Sequence, residues 1–138
     1  GFLFEEEIIK LKKKLQSGLV SSIWIQFGTD CTILESRFDM LKNLLISLEK
    51  TNYQKSNIKF FGSILIPSKQ FLARFNYRPW KGVYCSPEFL ESVDFANNFI
   101  VNLFKIYKKN QICPIIETNV NTDNKLIALE NILNNEIT

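Results

Sequence analysis

The stretch "IKFFGSILI", residues 58–66, is nearly continuous in apolar residues and ends at Pro67 and Ser68. Such a run is typical of a buried strand in a parallel sheet, where both faces of the strand are covered. The runs at residues 20–26 and 112–117 are shorter but also apolar, and we predict strands there as well.

Helices are predicted between these strands, because apolar residues recur there at helical spacing. The four apolar stripes are carried by Phe4, Ile8, Leu11 and Leu15, by Leu34, Phe38, Leu41, Leu45 and Leu48, by Phe89, Val93, Ala96, Ile100, Leu103 and Tyr107, and by Leu126, Leu129 and Leu133. Gly18 fits the C-cap of the first helix, and a capping box at residues 32–35 predicts the start of the second. A short helix is expected at 69–76, and Pro87 after Ser86 marks the start of one long helix.

Strands that alternate with helices predict an α/β fold of parallel βα units. Three strands make an incomplete sheet, however, because both of its edges would be left without a partner. A (β/α)8 TIM barrel needs about 250 residues. We therefore expect residues 1–138 to form a single partial domain that belongs to a barrel of this kind.

Composition excludes several classes of function. The net charge is +3 in 138 residues, which favours an ordinary solvated surface, so no nucleic-acid partner is expected. There is no histidine, which excludes histidine-based acid–base catalysis within this chain and the usual zinc sites. Three widely spaced cysteines fit a reducing compartment, and no apolar run reaches the ~18 residues of a membrane span. A cytoplasmic protein without a membrane partner is expected, and the missing initiator methionine suggests a piece of a longer chain.

Polar residues follow each predicted strand. In parallel α/β folds the loops at the carboxyl ends of the strands carry the chemistry. Here those positions hold Gln26, then Ser68, then Glu117, Thr118 and Asn119. An amide both donates and accepts hydrogen bonds, so Gln26 suits the edge of a polar heterocycle. It equally suits the backbone groups at the end of its own strand, and spacing alone does not separate the two interpretations.

Three long segments resemble methylenetetrahydrofolate reductases, in the same order along the chain. "LKKKLQSGLVSSIWIQF" (11–27) is similar to a family segment in which a lysine-bearing helix, a glycine and an apolar strand end in glutamine. "IKFFGSILIPSKQFLARF" (58–75) resembles the next unit, with its Pro/Ser turn and short helix ending in Phe. "SPEFLESVDFANNFIVNLFKIYKKNQICPIIETN" (86–119) resembles the long penultimate helix and the final strand.

The resemblance implies the carboxyl-terminal portion of a flavin-binding (β/α)8 barrel, about its last three βα units. The family passes a hydride from a nicotinamide cofactor, NAD(P)H, through flavin adenine dinucleotide (FAD) to methylenetetrahydrofolate. It implies that Gln26 contacts the folate substrate and that Phe75 stacks on it. Ser68 and Asn119, expected at the same end of the barrel, complete the predicted set of substrate-binding residues. No catalytic residue is implied within these 138 residues, because the family's acidic catalytic residue and most flavin contacts lie in its first half. The remaining partner is the rest of the barrel or an oligomer.

The chain also departs from the family pattern. Ile25 and Val120 stand where threonine and arginine are common, and residues 77–86 are unlike the better-known enzymes. These differences favour an alternative, a non-catalytic TIM-barrel homologue that binds a small molecule or a protein. Arg78, Trp80 and Lys81 either contact a ligand or form a surface loop anchored by a half-buried Trp, and the loop is the favoured interpretation. A free-standing α/β adaptor is a third, weaker possibility because of the open sheet edges.

Overall fold

The computed structural model describes residues 2–49, 58–118 and 120–137, and over these ranges the chain has an α/β fold. Its sheet has three parallel strands in the order β1-β2-β3, which confirms the predicted parallel pairing in chain order. The strands are β1 (Ser22–Ile25), β2 (Lys59–Leu65) and β3 (Ile112–Glu117). This arrangement is compatible with a partial α/β fold.

Six helices are described, and most of their ends follow from the local sequence. They are α1 (Phe2–Gln16), α2 (Cys31–Glu49), α3 (Lys69–Tyr77), α4 (Pro87–Glu91), α5 (Val93–Lys109) and α6 (Asp123–Ile137). As predicted, Gly18 turns the chain after the end of α1. Its φ is 70°, which glycine adopts without strain.

Two helix boundaries differ from the prediction. The capping box at 32–35 is wrong, because α2 begins earlier and the carboxylate of Asp30 accepts a hydrogen bond from the Ile33 N–H at 2.8 Å. The single long helix expected after Ser86 is divided at Ser92. That serine is extended and caps α5, its hydroxyl accepting from the Phe95 N–H at 3.2 Å. Cap-forming side chains thus take precedence over continuous apolar spacing.

The two faces of the sheet have different surroundings. On the face toward α2 and α5, Phe60 meets the ring of Phe38 edge-on, and Ile64 is fully buried. Alternation along the strands sends the other side chains to the opposite face. We call that opposite surface the open face, and its residues are Ser22, Trp24, Lys59, Phe61, Ser63, Leu65, Cys113, Ile115 and Glu117. It remains exposed at Trp24, Cys113 and Glu117, whereas a complete α/β domain covers both faces of a parallel sheet.

Tyr107 of α5 fixes the closest approach between helix and sheet. Its ring is buried against Gly62, where an added Cβ would lie 2.4 Å from two ring carbons. Its hydroxyl donates to the Ser63 carbonyl at 3.1 Å. Burial raises the pKa of this phenol well above its usual range, so the group is a neutral donor. A glycine in the middle strand therefore sets the distance between α5 and β2.

Candidate functional site

The first predicted site residue, Gln26, follows directly after β1. Its neighbours Ile25 and Phe27 belong to or pack against the core, and the Phe27 ring lies 5.6 Å from that of Phe89. The Gln26 side chain between them is exposed. Its position at a strand end and its exposure agree with a ligand contact.

Gln26 borders a cleft of about 540 Å³ between α1, β1, α2 and the loop around Gly82. The cleft is lined by apolar side chains at its base and by charged ones, including the guanidinium of Arg37, which lies 4.3 Å from the ring centroid of Phe4. The apolar base includes Ile8, Leu11, Ile23, Ile25, Leu34 and Phe38. It follows the edge of β1 that has no strand partner among the described residues. A further structural element or a large ligand fits such a cleft better than an ion.

Ser68 follows β2 and is the N-cap of α3. Its hydroxyl oxygen accepts a hydrogen bond from the Phe71 N–H at 3.1 Å, and the residue is exposed. The hydroxyl hydrogen is still able to donate to a ligand. Capping is thus the role that the structure gives to Ser68, and ligand contact stays a prediction.

Phe75 and Asn119 complete the predicted set. Phe75 is 4% exposed and packs against the rings of Phe71 and Trp80, with centroid distances of 5.6 and 6.1 Å. The structure therefore gives its ring a packing role, and stacking on a ligand stays a prediction. Phe71, one turn earlier, is only partly buried. Asn119 lies outside the described residues.

A polar pair on the open face escaped the sequence-based prediction. The hydroxyl of Ser63, in the middle strand, donates to the carboxylate of Glu117 at the end of β3. A serine within an otherwise apolar strand was the available signal, but its partner depends on strand register. The pair places a carboxylate, already oriented by one donor, on the open face.

The contacts of Thr29 were not predicted, and they join the loop after β1 to the segment before α4. The side chain is 5% exposed, and its hydroxyl oxygen accepts from the Ser86 N–H at 2.6 Å. The Thr29 N–H donates to the Tyr84 carbonyl at 3.3 Å. These contacts span more than fifty residues, which no local pattern reveals. They hold Tyr84 beside the cleft that Gln26 borders.

The loop after α3 matches the favoured interpretation of its tryptophan. Trp80 is 50% exposed, and its ring packs edge-on against Phe71 at 5.4 Å and against Phe75. Arg78 and Lys81 beside it are exposed. The loop is thus anchored by a half-buried Trp, as expected, and its cations point to solvent.

The described residues offer limited chemistry of their own. They contain no group of three or more carboxylate and thiol side chains arranged to hold a metal ion. Burial raises the pKa of the Cys85 thiol to about 11, so this cysteine is a poor nucleophile near neutral pH. Within the same ranges, no helix has the length and apolar character needed to cross a membrane. The polar groups at the strand ends are suited to binding.

Comparisons of the chain with family models, curated proteins and solved structures found no match in any of the three. The resemblance to methylenetetrahydrofolate reductases therefore rests on the sequence segments alone.

Proposed function

We propose that the chain is the carboxyl-terminal part of a methylenetetrahydrofolate reductase-like (β/α)8 barrel and that its strand ends contact a folate-type substrate. In this proposal the open face is the inner wall of the barrel. Gln26 supplies an amide to the heterocycle of the substrate, and Ser68 supplies a hydroxyl donor. Hydride transfer itself depends on groups contributed by the rest of the barrel.

The observation that carries the proposal is the asymmetry of the sheet. Three parallel strands bury one face under helices, while the other exposes Trp24 and the Ser63–Glu117 pair. The Trp24 ring stacks on Phe61 with centroids 5.1 Å apart, which gives this face a flat aromatic surface. Parallel strands in barrels have such a face toward the barrel interior, and ligands bind where the strands end.

The open face fits the cofactors FAD and NAD(P)H less well than it fits a folate-type substrate. FAD carries a diphosphate, which proteins bind with cationic side chains or with backbone N–H groups at helix N-termini. Among the described residues the open face has one cation, Lys59, at the amino end of β2, whereas the charged side chain at the carboxyl ends of the strands is the Glu117 carboxylate. The strand ends on the open face therefore do not fit the diphosphate of FAD or of NAD(P)H, and in this proposal most flavin contacts come from the rest of the barrel.

The test is substitution of Gln26 in the intact protein that carries this chain. We expect Gln26→Ala to weaken binding of methyltetrahydrofolate by about 1–3 kcal/mol, because a polar edge of the ligand loses its partner. Flavin absorbance per mole of protein should not change. Gln16→Ala is the matched control, since Gln16 is an exposed amide at the end of α1. If calorimetry shows equal affinities of wild type and Gln26→Ala for methyltetrahydrofolate, the proposed contact between Gln26 and the substrate is wrong.

The alternative is a non-catalytic barrel homologue that binds a small molecule or a protein. Val120 favours it, because an apolar, half-buried residue stands where the family commonly has arginine. Folate binding by an intact protein that contains no flavin and oxidises no NAD(P)H would support this alternative. Flavin reduction by NAD(P)H followed by reoxidation with methylenetetrahydrofolate would exclude it.

A further inference from the structure

A second surface, lined by other residues than the cleft beside Gln26, combines positive charge with exposed aromatic rings. Residues 50–87 contain seven of the chain's 17 Lys and Arg and none of its 14 Asp and Glu, so the rest of the chain is net negative. The small total charge, which argued against a nucleic-acid partner, therefore conceals an uneven distribution. Uneven charge of this kind is what an anionic partner recognises.

Part of this segment forms a concave surface at the end of α3. A depression of about 680 Å³ is lined by Arg74, Tyr77, Arg78, Pro79, Trp80 and Lys81, which we call the basic–aromatic patch. None of its three cations forms an ion pair with another described residue. Among the residues that the structure describes, no acidic side chain lines the depression. The patch thus presents uncompensated positive charge to solvent.

The aromatic rings of the patch are exposed and one of them is held in place. Tyr77 is 92% exposed, so the surrounding fold does not need its ring. Trp80 is 50% exposed, with Phe71 and Phe75 packed against it from the core side. A ring that is fixed before binding loses little entropy when a ligand stacks on it. Exposed rings among cations match the bases and phosphates of a single strand.

We propose that the basic–aromatic patch binds single-stranded nucleic acid, with phosphates near Arg74, Arg78 and Lys81 and bases stacked on Tyr77 and Trp80. An acidic peptide would satisfy the cations but gains nothing from two exposed rings, so the observations favour the nucleic acid. Sequence preference is low, because stacking uses the face that every base shares. This proposal is independent of the folate-binding proposal and involves a different surface.

The test uses the full chain and a fluorescein-labelled dT12 oligonucleotide, with binding followed by anisotropy at 50 and 200 mM salt. Wild type should bind, and Tyr77→Ala should weaken binding about 5- to 150-fold, the usual loss for one stacking ring. Arg74→Ala with Arg78→Ala should reduce the slope of log affinity against log salt by about 0.7 for each cation. The matched control is Lys12→Ala with Lys13→Ala, which removes two exposed cations from α1. That control should have a much smaller effect.

Four results would overturn the proposal. The first is no binding of dT12 at 50 mM salt, and the second is an equal loss in the lysine control, which would indicate unspecific attraction. The third is competition by polyglutamate together with an unchanged affinity of Tyr77→Ala, which would indicate an acidic protein partner. The fourth is thymidine monophosphate binding as tightly as dT12, which would indicate a small nucleotide pocket. Each variant changes exposed residues, so circular dichroism should confirm an unchanged fold.

Discussion

Gly62→Ala tests the contact between α5 and the middle strand. The added methyl carbon would lie 2.4 Å from two carbons of the Tyr107 ring, against about 3.5–4.0 Å for an ordinary contact. The ring is 1% exposed and its hydroxyl is bonded to the Ser63 carbonyl, so it has no free space to enter. The helix or the strand must therefore move.

The expected cost follows from two opposing effects. Overpacking of a well-filled core costs up to about 3 kcal/mol, and alanine in a strand is better than glycine by about 0.5–1 kcal/mol. We expect Gly62→Ala to lower the free energy of unfolding by about 2 kcal/mol. With a urea m-value of about 2 kcal/mol/M, the unfolding midpoint should fall by about 1 M. The assay is urea unfolding of the intact protein that carries this chain, followed by circular dichroism at one protein concentration for all variants.

Two further variants test whether the cost of Gly62→Ala comes from the Tyr107 ring. Gly28→Ala is the matched control, because a Cβ there has no neighbour within 4 Å and φ is not positive. In a Tyr107→Leu background, Gly62→Ala should be neutral or slightly stabilising, because the obstructing ring is gone. An equal cost of Gly62→Ala in both backgrounds would refute the steric explanation, as would a cost no larger than that of Gly28→Ala.

The remaining predictions concern the hydrogen bond between Thr29 and Ser86, the cysteine thiols and the self-association of the chain. Thr29→Val keeps the shape but leaves the Ser86 N–H without its acceptor, so urea unfolding should show a loss of about 1–3 kcal/mol. The exposed Cys113 should react with Ellman's reagent at pH 8 well before Cys85, whose pKa of about 11 leaves about 0.1% thiolate at that pH. Because folding raises this pKa, the contribution of Cys85 to the free energy of unfolding is complete below about pH 8.5 and falls as the pH rises to 11. Cys85→Ala should make the free energy of unfolding depend less on pH in this range. Residues 1–138 expressed alone should associate or unfold with low cooperativity through the open face, and a monomer that melts sharply in sedimentation and thermal experiments would contradict the partial-barrel proposal.

The sequence alone determined the strands of this protein, their parallel direction and most of its helices. The apolar run at 58–66 and its two shorter counterparts gave strands that the structure places at 59–65, 22–25 and 112–117. These predictions hold because burial on one or both faces leaves a local, periodic record in the chain. The helix ends were less certain, because Asp30 and Ser92 compete locally with neighbouring caps and with apolar spacing.

At the candidate site, the sequence located Gln26 and Ser68 after their strands, because strand ends are visible as a change from apolar to polar residues. It did not reveal that Ser68 is occupied as a helix cap or that Phe75 is buried behind Trp80. Helical spacing places a ring on a side of its helix, but the neighbouring loop decides whether that side is covered.

Only the tertiary structure decided the contacts between distant segments. Ser63 meets Glu117 across 54 positions, and Thr29 meets Ser86 across 57, through strand register and loop packing. The need for glycine at position 62 became visible only when the Tyr107 ring was seen against it. Such contacts depend on how helices and strands are placed against one another. The local sequence pattern shows only which side of each element is buried, not which residue covers it.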